Sequence, residues 1–163
     1  ERLMLIYRNI EPASGSVLVV DIDGVIADAS AHQHFLNSES QKWEEFFEAS
    51  LNSRVLREGK ELVKGLSQLI PIFLMTARPS YLLEKTVFWL NQNEIFWDAL
   101  LMREGEDNRS SPEVKLDLLR DLIESGYKPK LALDDDPRNL LMFWEQKVPS
   151  IYVHSGYYEV NKF

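Results

Sequence analysis

The sequence predicts an α/β fold: a doubly wound, mostly parallel five-stranded sheet with helices on both faces and a small helical cap insertion. Three observations predict it. Short, almost continuously apolar runs alternate with stretches of helical periodicity, the pattern of a parallel sheet buried on both faces. Helix-start signals, a capping side chain followed by proline, stand at Ser111-Pro112 and Asp136-Pro137. Finally, 45% hydrophobic residues over 163 positions supply one sizeable core, which excludes a disordered or fibrous chain.

In chain order, residues 11–16 read as a loop and VLVVD at 17–21 as the first strand. Residues 28–56, with WEEFFEAS at their centre, exceed the simple alternation and read as the cap. A helix is predicted over 57–69, a strand over 71–75 (PIFLM), a helix over 80–92 and a strand over 98–102 (DALLM). Ser111 caps the helix over 111–125 and Gly126 stops it. KLALD at 130–134 is the fourth strand, 137–147 the last helix and SIYV at 150–153 the fifth strand, after which the residues beyond Tyr158 are expected to be loosely held. Residues 1–163 are thus expected to form one domain.

Composition bounds the function. Eighteen basic against 26 acidic residues give a formal charge of −8, without a long block of like charges. Indiscriminate binding along duplex nucleic acid is disfavoured, whereas a local basic rim around one site is compatible with that charge. There is no cysteine, so disulfides and thiolate metal sites are excluded and a reducing cytoplasm is the expected location. No apolar run approaches the roughly 20 residues that span a bilayer, and no signal peptide is recognised. The chain opens at Glu1 rather than methionine; it reads as a piece that can belong to a longer protein with a further domain.

Polar signals follow four of the strands: Asp21-Ile22-Asp23-Gly24, Thr76-Ala77-Arg78, Asp134-Asp135-Asp136 and His154-Ser155-Gly156. The carboxyl ends of neighbouring parallel strands share one edge, so these residues are expected to meet there. Asp21 and Asp23, two apart in extended chain, point the same way. One carboxylate can attack phosphorus while the other protonates the leaving oxygen, although Asp-x-Asp-Gly also suits an ordinary strand-ending turn. Three adjacent carboxylates at 134–136 repel one another and call for a counter-charge, which a hard cation such as magnesium supplies; the competing reading is a solvated capping loop, and for Asp136 the cap is favoured. Thr76, Ala77 and Arg78 are candidates for holding phosphate, the competing readings being a plain cap for Thr76 and a surface residue or ion pair for Arg78. Lys115, near the start of its helix, faces the same edge and can neutralise a phosphoryl group; the competing reading is an exposed helix lysine, and its place in the series favours the former.

The series Asp21-x-Asp23-Gly24, Thr76, Lys115, Asp134-Asp135, each in its strand or helix context, resembles the haloacid dehalogenase-like phosphohydrolase superfamily over residues 17–139. The resemblance implies that Asp21 is phosphorylated, that Asp23 is the acid/base and that Thr76 and Lys115 hold phosphate. It further implies Mg2+ bound by Asp21, the backbone carbonyl of Asp23, and Asp135, with Asp134 or Asn139 as additional candidates. An acid at Asp23 favours phosphoester chemistry over dehalogenation. Thr76-Ala77-Arg78-Pro79, LALDDD followed by Met-Phe-Trp, and the closing His-Ser-Gly-Tyr are similar to the 3′-phosphatase domain of phage polynucleotide kinases. That likeness implies a phosphorylated substrate such as a nucleic-acid end. Free nucleotides or other small phosphoesters are the alternative. His32, His34 and Trp43 in the cap are read either as touching the leaving group or as packing; Tyr157, Tyr158, Trp89, Trp97 and Trp144 either stack on bases or pack. Two readings of another class compete: a phosphate-accepting receiver, in which the acidic pair precedes the accepting Asp, Thr and Lys, and a silent phosphate-binding module.

Overall fold

The structure, a computed structural model, describes residues 5–36 and 41–158; the loosely held end expected after Tyr158 lies outside the described residues. Its centre is β2 (Ser16–Val20), whose alternate side chains are buried in two separate cores. Leu18 and Val20 face one layer, Val17 and Val19 the other, as the two-residue period of a strand requires. β5 (Ile72–Pro79) and β7 (Lys128–Asp134) pair with β2 on either side, both parallel. β6 (Ala99–Arg103) extends the sheet beyond β5, and β8 (Ser150–Tyr152) beyond β7, again parallel. These are the five predicted strands.

The sheet nevertheless has six strands, not five. β1 (Leu5–Tyr7) pairs antiparallel with β6 and closes that edge. Its three residues are all half-buried, so they carry no alternation for a sequence reading to detect. A second, two-stranded ladder joins β3 (Ala27–Asp28) to β4 (Arg54–Val55) at the base of the cap. Between them run a 3-10 segment, Ser30–Leu36, and α1 (Trp43–Ser50). The cap is held by its own small core of Ala29, Phe46, Phe47 and Leu82, with Phe35, Leu51 and Tyr157 against it.

α2 (Arg57–Leu66) and α3 (Leu83–Gln92) cover one face through Val63, Trp89 and Leu90, while α4 (Ser111–Glu124) and α5 (Pro137–Glu145) cover the other through Val114, Leu118, Met142 and Phe143. α2 ends at Leu66 rather than 69. The N-cap of α4 is Ser110, not Ser111: Glu113 at the third helical position accepts from the Ser110 backbone N–H at 3.0 Å, a capping box. Pro112 and Gly126 (φ +94°) mark the helix ends as expected, and Asp136 caps α5 by accepting from the Arg138 N–H at 2.9 Å. The strand order β1-β6-β5-β2-β7-β8 sends the chain from β2 outward through β5 and β6 on one side and then, after α4, through β7 and β8 on the other. The switch point therefore lies at the carboxyl ends of β5, β2 and β7.

Candidate active site

β2 stops at Val20 because the chain turns sharply. Gly24, at φ +87°, donates its N–H to Ala27 O at 2.9 Å, a conformation that disfavours residues with a Cβ. Space is equally decisive, since a Cβ on Gly24 would lie 2.0 Å from Asp135 Oδ2. The turn thereby brings Asp21 against the end of β7. Asp21, Asp134 and Asp135 each present a carboxylate oxygen within 4.8 Å of the others, and all three are buried.

One cation lies among them. Lys115 Nζ sits 2.6 Å from Asp134 Oδ2 and 3.0 Å from Asp21 Oδ1, and its side chain is 1% exposed. It reaches there because α4 lies across the sheet from its capping box. Burial alone would lower the lysine pKa, but the two carboxylates win and hold it above its usual range. Against three carboxylates, one ammonium leaves the cluster two charges short. Burial is accordingly the main cause pushing Asp21 up, opposed by Lys115, and it pushes Asp135 up to about 7.

Asp134, the last residue of β7, and Asp135, just after it, differ in what surrounds them. Asp134 is saturated: Oδ1 accepts from the Asp136 N–H at 3.0 Å, Oδ2 accepts from Lys115, and Asn139 Nδ2 lies 3.2 and 3.1 Å from the two oxygens. Asn139 also donates to Ser111 Oγ at 3.2 Å, tying α5 to α4. Asp135 Oδ2, by contrast, is buried without a hydrogen-bond partner, which calls for an explanation that a bound ion would supply. A hard divalent cation fits this donor set of oxygens and its charge deficit.

Asp23 is held separately. Arg78, wholly buried, donates from Nε at 2.9 Å and Nη2 at 2.7 Å to the two Asp23 oxygens, and from Nη2 to Ser50 O at 3.3 Å. The guanidinium fork therefore aims the carboxylate. Thr76, Ala77 and Arg78 lie inside β5 rather than after it, where the β5/β6 register shifts between Thr76 and Pro79. The Arg78 N–H donates to Thr76 Oγ1 at 3.1 Å.

Not every flagged residue joins the site. Trp89 and Trp97 are buried in the core, with Trp89 Nε1 donating to Ser53 O at 3.0 Å. Trp43 stacks on Phe47 and the His34 ring lies against Phe35, both within the cap; His32 lies in the same 3-10 segment. Trp144 is exposed on α5. Tyr157 ties the cap to the sheet, its hydroxyl accepting from the Ala29 N–H at 2.8 Å and donating to Asp28 Oδ1 at 3.1 Å. One residue escaped the sequence reading: Arg103, at the end of β6, donates to Ala77 O at 2.8 Å and to Asp107 O and Arg109 O, pinning the loop before α4 to β5. It stands at a strand carboxyl end, the signal that singled out the other site residues.

Solved structures share this architecture. A chain of the Pnkp1/Rnl/Hen1 RNA repair complex superposes with a TM-score of 0.72 at 20% identity, over 91% of this chain and 45% of that one. This chain thus spans less than half the length of that relative. A class C acid phosphatase from Bacillus anthracis, in its tungstate-bound form, gives 0.60 at 15% identity over 90% and 69% of the two chains. A haloacid dehalogenase-like family hydrolase from Streptococcus pneumoniae gives 0.59 at 15% identity over 85% and 83%. No curated protein matches the sequence. The fold is thus the one that haloacid dehalogenase-like family hydrolases share. Within it, the family model for the polynucleotide kinase PNKP phosphatase domain matches residues 15–158, and the chain belongs to that family.

Proposed function

We propose that this phosphatase is magnesium-dependent, forms an aspartyl-phosphate on Asp21 and removes phosphate from polynucleotide 3′ ends. The observation that carries the chemistry is the buried group Asp21, Asp134 and Asp135, with one lysine among three carboxylates and an unpartnered oxygen on Asp135. Membership in the PNKP phosphatase domain family supports the substrate, as does the name of a similar structure, an RNA repair complex.

An Asp21 oxygen attacks phosphorus and the bond to the leaving alkoxide breaks. Asp23, in its protonated form, gives that oxygen a proton; as carboxylate it then takes one from the water that attacks the acyl-phosphate, which releases phosphate and restores Asp21. Arg78 keeps Asp23 at the required angle through both steps. Thr76, the Ala77 backbone and Lys115 receive the phosphoryl oxygens, Lys115 also holding Asp21 in place. Asp21 and Asp135, with the Asp23 carbonyl, would hold Mg2+, while Asp134 positions Lys115 more than it ligates. When bound, the ion neutralises carboxylates and phosphoryl oxygens together.

The test is phosphate release with Mg2+ from 3′-phosphorylated oligonucleotides, 5′-phosphorylated oligonucleotides, nucleoside monophosphates and sugar phosphates. Preference for the first group is expected. Preference for free monophosphates would move the chain to the nucleotidases, and turnover by Asp21→Asn would overturn the covalent mechanism.

A further inference from the structure

We propose that Arg138 and Tyr158 form a subsite for the 3′-terminal nucleoside of the substrate, the tyrosine ring meeting the base and the guanidinium the adjoining phosphodiester. This rests on the polynucleotide reading above. Tyr158 as a residue is 40% exposed. Burial first, and then the Asp135, Asp136, Asp21 and Asp134 carboxylates, push its phenol pKa up, and the guanidinium beside the ring is hydrogen-bonded to Asp136, next to Asp135. Phe88 is more exposed still, but the two grooves beside it, of about 580 and 680 Å³, contain none of those carboxylates.

The guanidinium carbon of Arg138 lies 5.7 Å from the centroid of the Tyr158 ring. Its position is fixed from below: Asp136 accepts from Nε at 3.1 Å and from Nη2 at 2.7 Å while also capping α5. Two of its five donors are thus used, and 57% of the side chain is exposed. Asp136 is adjacent to Asp135, so the pair is set at a fixed offset from the acidic cluster.

A polyanion approaching a chain of net charge −8 gains from a cation held at the entrance. A flat ring beside it accepts any base, because every base has a π-face. A second role for the pair, merely sealing the helix end, predicts no dependence on the substrate.

Three substrates separate these roles: a 3′-phosphorylated oligonucleotide, the same oligonucleotide with an abasic terminal nucleotide, and glycerol 2-phosphate, a secondary phosphoester without base or phosphodiester. Tyr158→Leu is expected to lose about tenfold more kcat/KM on the oligonucleotide than on glycerol 2-phosphate, mainly through KM. That excess should shrink on the abasic substrate and be restored by Tyr158→Phe. Arg138→Ala should show its excess loss on both oligonucleotides, and Arg138→Lys should recover part of it. Equal losses on all three substrates would overturn the subsite while leaving the polynucleotide reading intact. Wild-type turnover of glycerol 2-phosphate with none of the oligonucleotide would overturn both.

Discussion

At the residue scale, the difference between Asp134 and Asp135 shows what spacing reveals and what it does not. Both stand at the end of one apolar strand, and residue type alone marks them alike, although the resemblance puts Asp135 first for the metal. What separates them is a lysine from α4, an amide from α5 and a backbone N–H, all of which converge on Asp134 and leave Asp135 Oδ2 unpartnered. Those partners are brought by the fold, so no local pattern discloses them. Arg78 is a similar case: its place after Thr76 is legible, but its pairing with Asp23 across 55 positions is not. Lys115→Met should abolish turnover and, by stranding buried carboxylates, cost about 3–5 kcal/mol in denaturant unfolding; a variant of native stability would show that the lysine does not hold the cluster. Arg78→Lys replaces a fork with a point charge. A fall in kcat of roughly a hundredfold at near-constant KM is expected if Arg78 aims the acid/base. A change in KM alone would place the arginine on the substrate instead.

At the element scale, the long parallel strands and the helices that cover them were legible because each buries enough apolar surface to impose a period. β1, β3 and β4, of two or three residues, exist by pairing with a neighbour and leave no such trace, whereas β8, equally short, was legible through its apolar run SIYV. The shift of the α4 cap by one residue has a similar origin, because Ser110 and Ser111 are chemically equivalent until Glu113 is placed. α2 carries a further packing constraint invisible in its sequence. A Cβ on Gly59 would lie 1.8 Å from Val25 O, so the helix presses directly on the backbone of the loop that follows Asp23. Gly65, in the same helix, has nothing within 4 Å. Gly59→Ala is therefore expected to destabilise by about 1–3 kcal/mol and to reduce turnover by displacing the loop. Gly65→Ala should stabilise by roughly 0.5–1 kcal/mol with activity retained. Thermal melts and turnover of the two variants decide this, and a Gly59→Ala protein as stable and active as wild type would refute the close packing.

At the scale of the whole molecule, folding concentrates acids that the open chain would keep apart, and this makes stability depend on protons and metal together. Burial raises Asp21 and brings Asp135 to about 7, against an ordinary value of 3.8. A carboxyl that binds its proton more tightly when folded stabilises the fold fully below its unfolded pKa. That contribution is lost as pH rises through the folded value. Without divalent metal, the contribution of this cluster should thus fall between about pH 4 and pH 7, leaving the charged cluster least stable above that window. At the proposed site Mg2+ would compete with those protons, so the melting-temperature increase expected from it should be largest near pH 8 and shrink as pH falls towards 6. Asp107 and Asp28, both lowered by hydrogen bonds, Asp107 to about 2, work in the opposite direction at lower pH. The comparison is therefore cleanest between about pH 5.5 and 8. Asp135→Asn removes the most nearly neutral-titrating acid while keeping its shape, and should flatten both the metal-free pH dependence and the Mg2+ increment. Melting curves of wild type and this variant, with Mg2+ and with chelator, measure both effects at once. An Mg2+ increment of the same size at every pH, or one unchanged by Asp135→Asn, would move the metal away from this edge of the sheet.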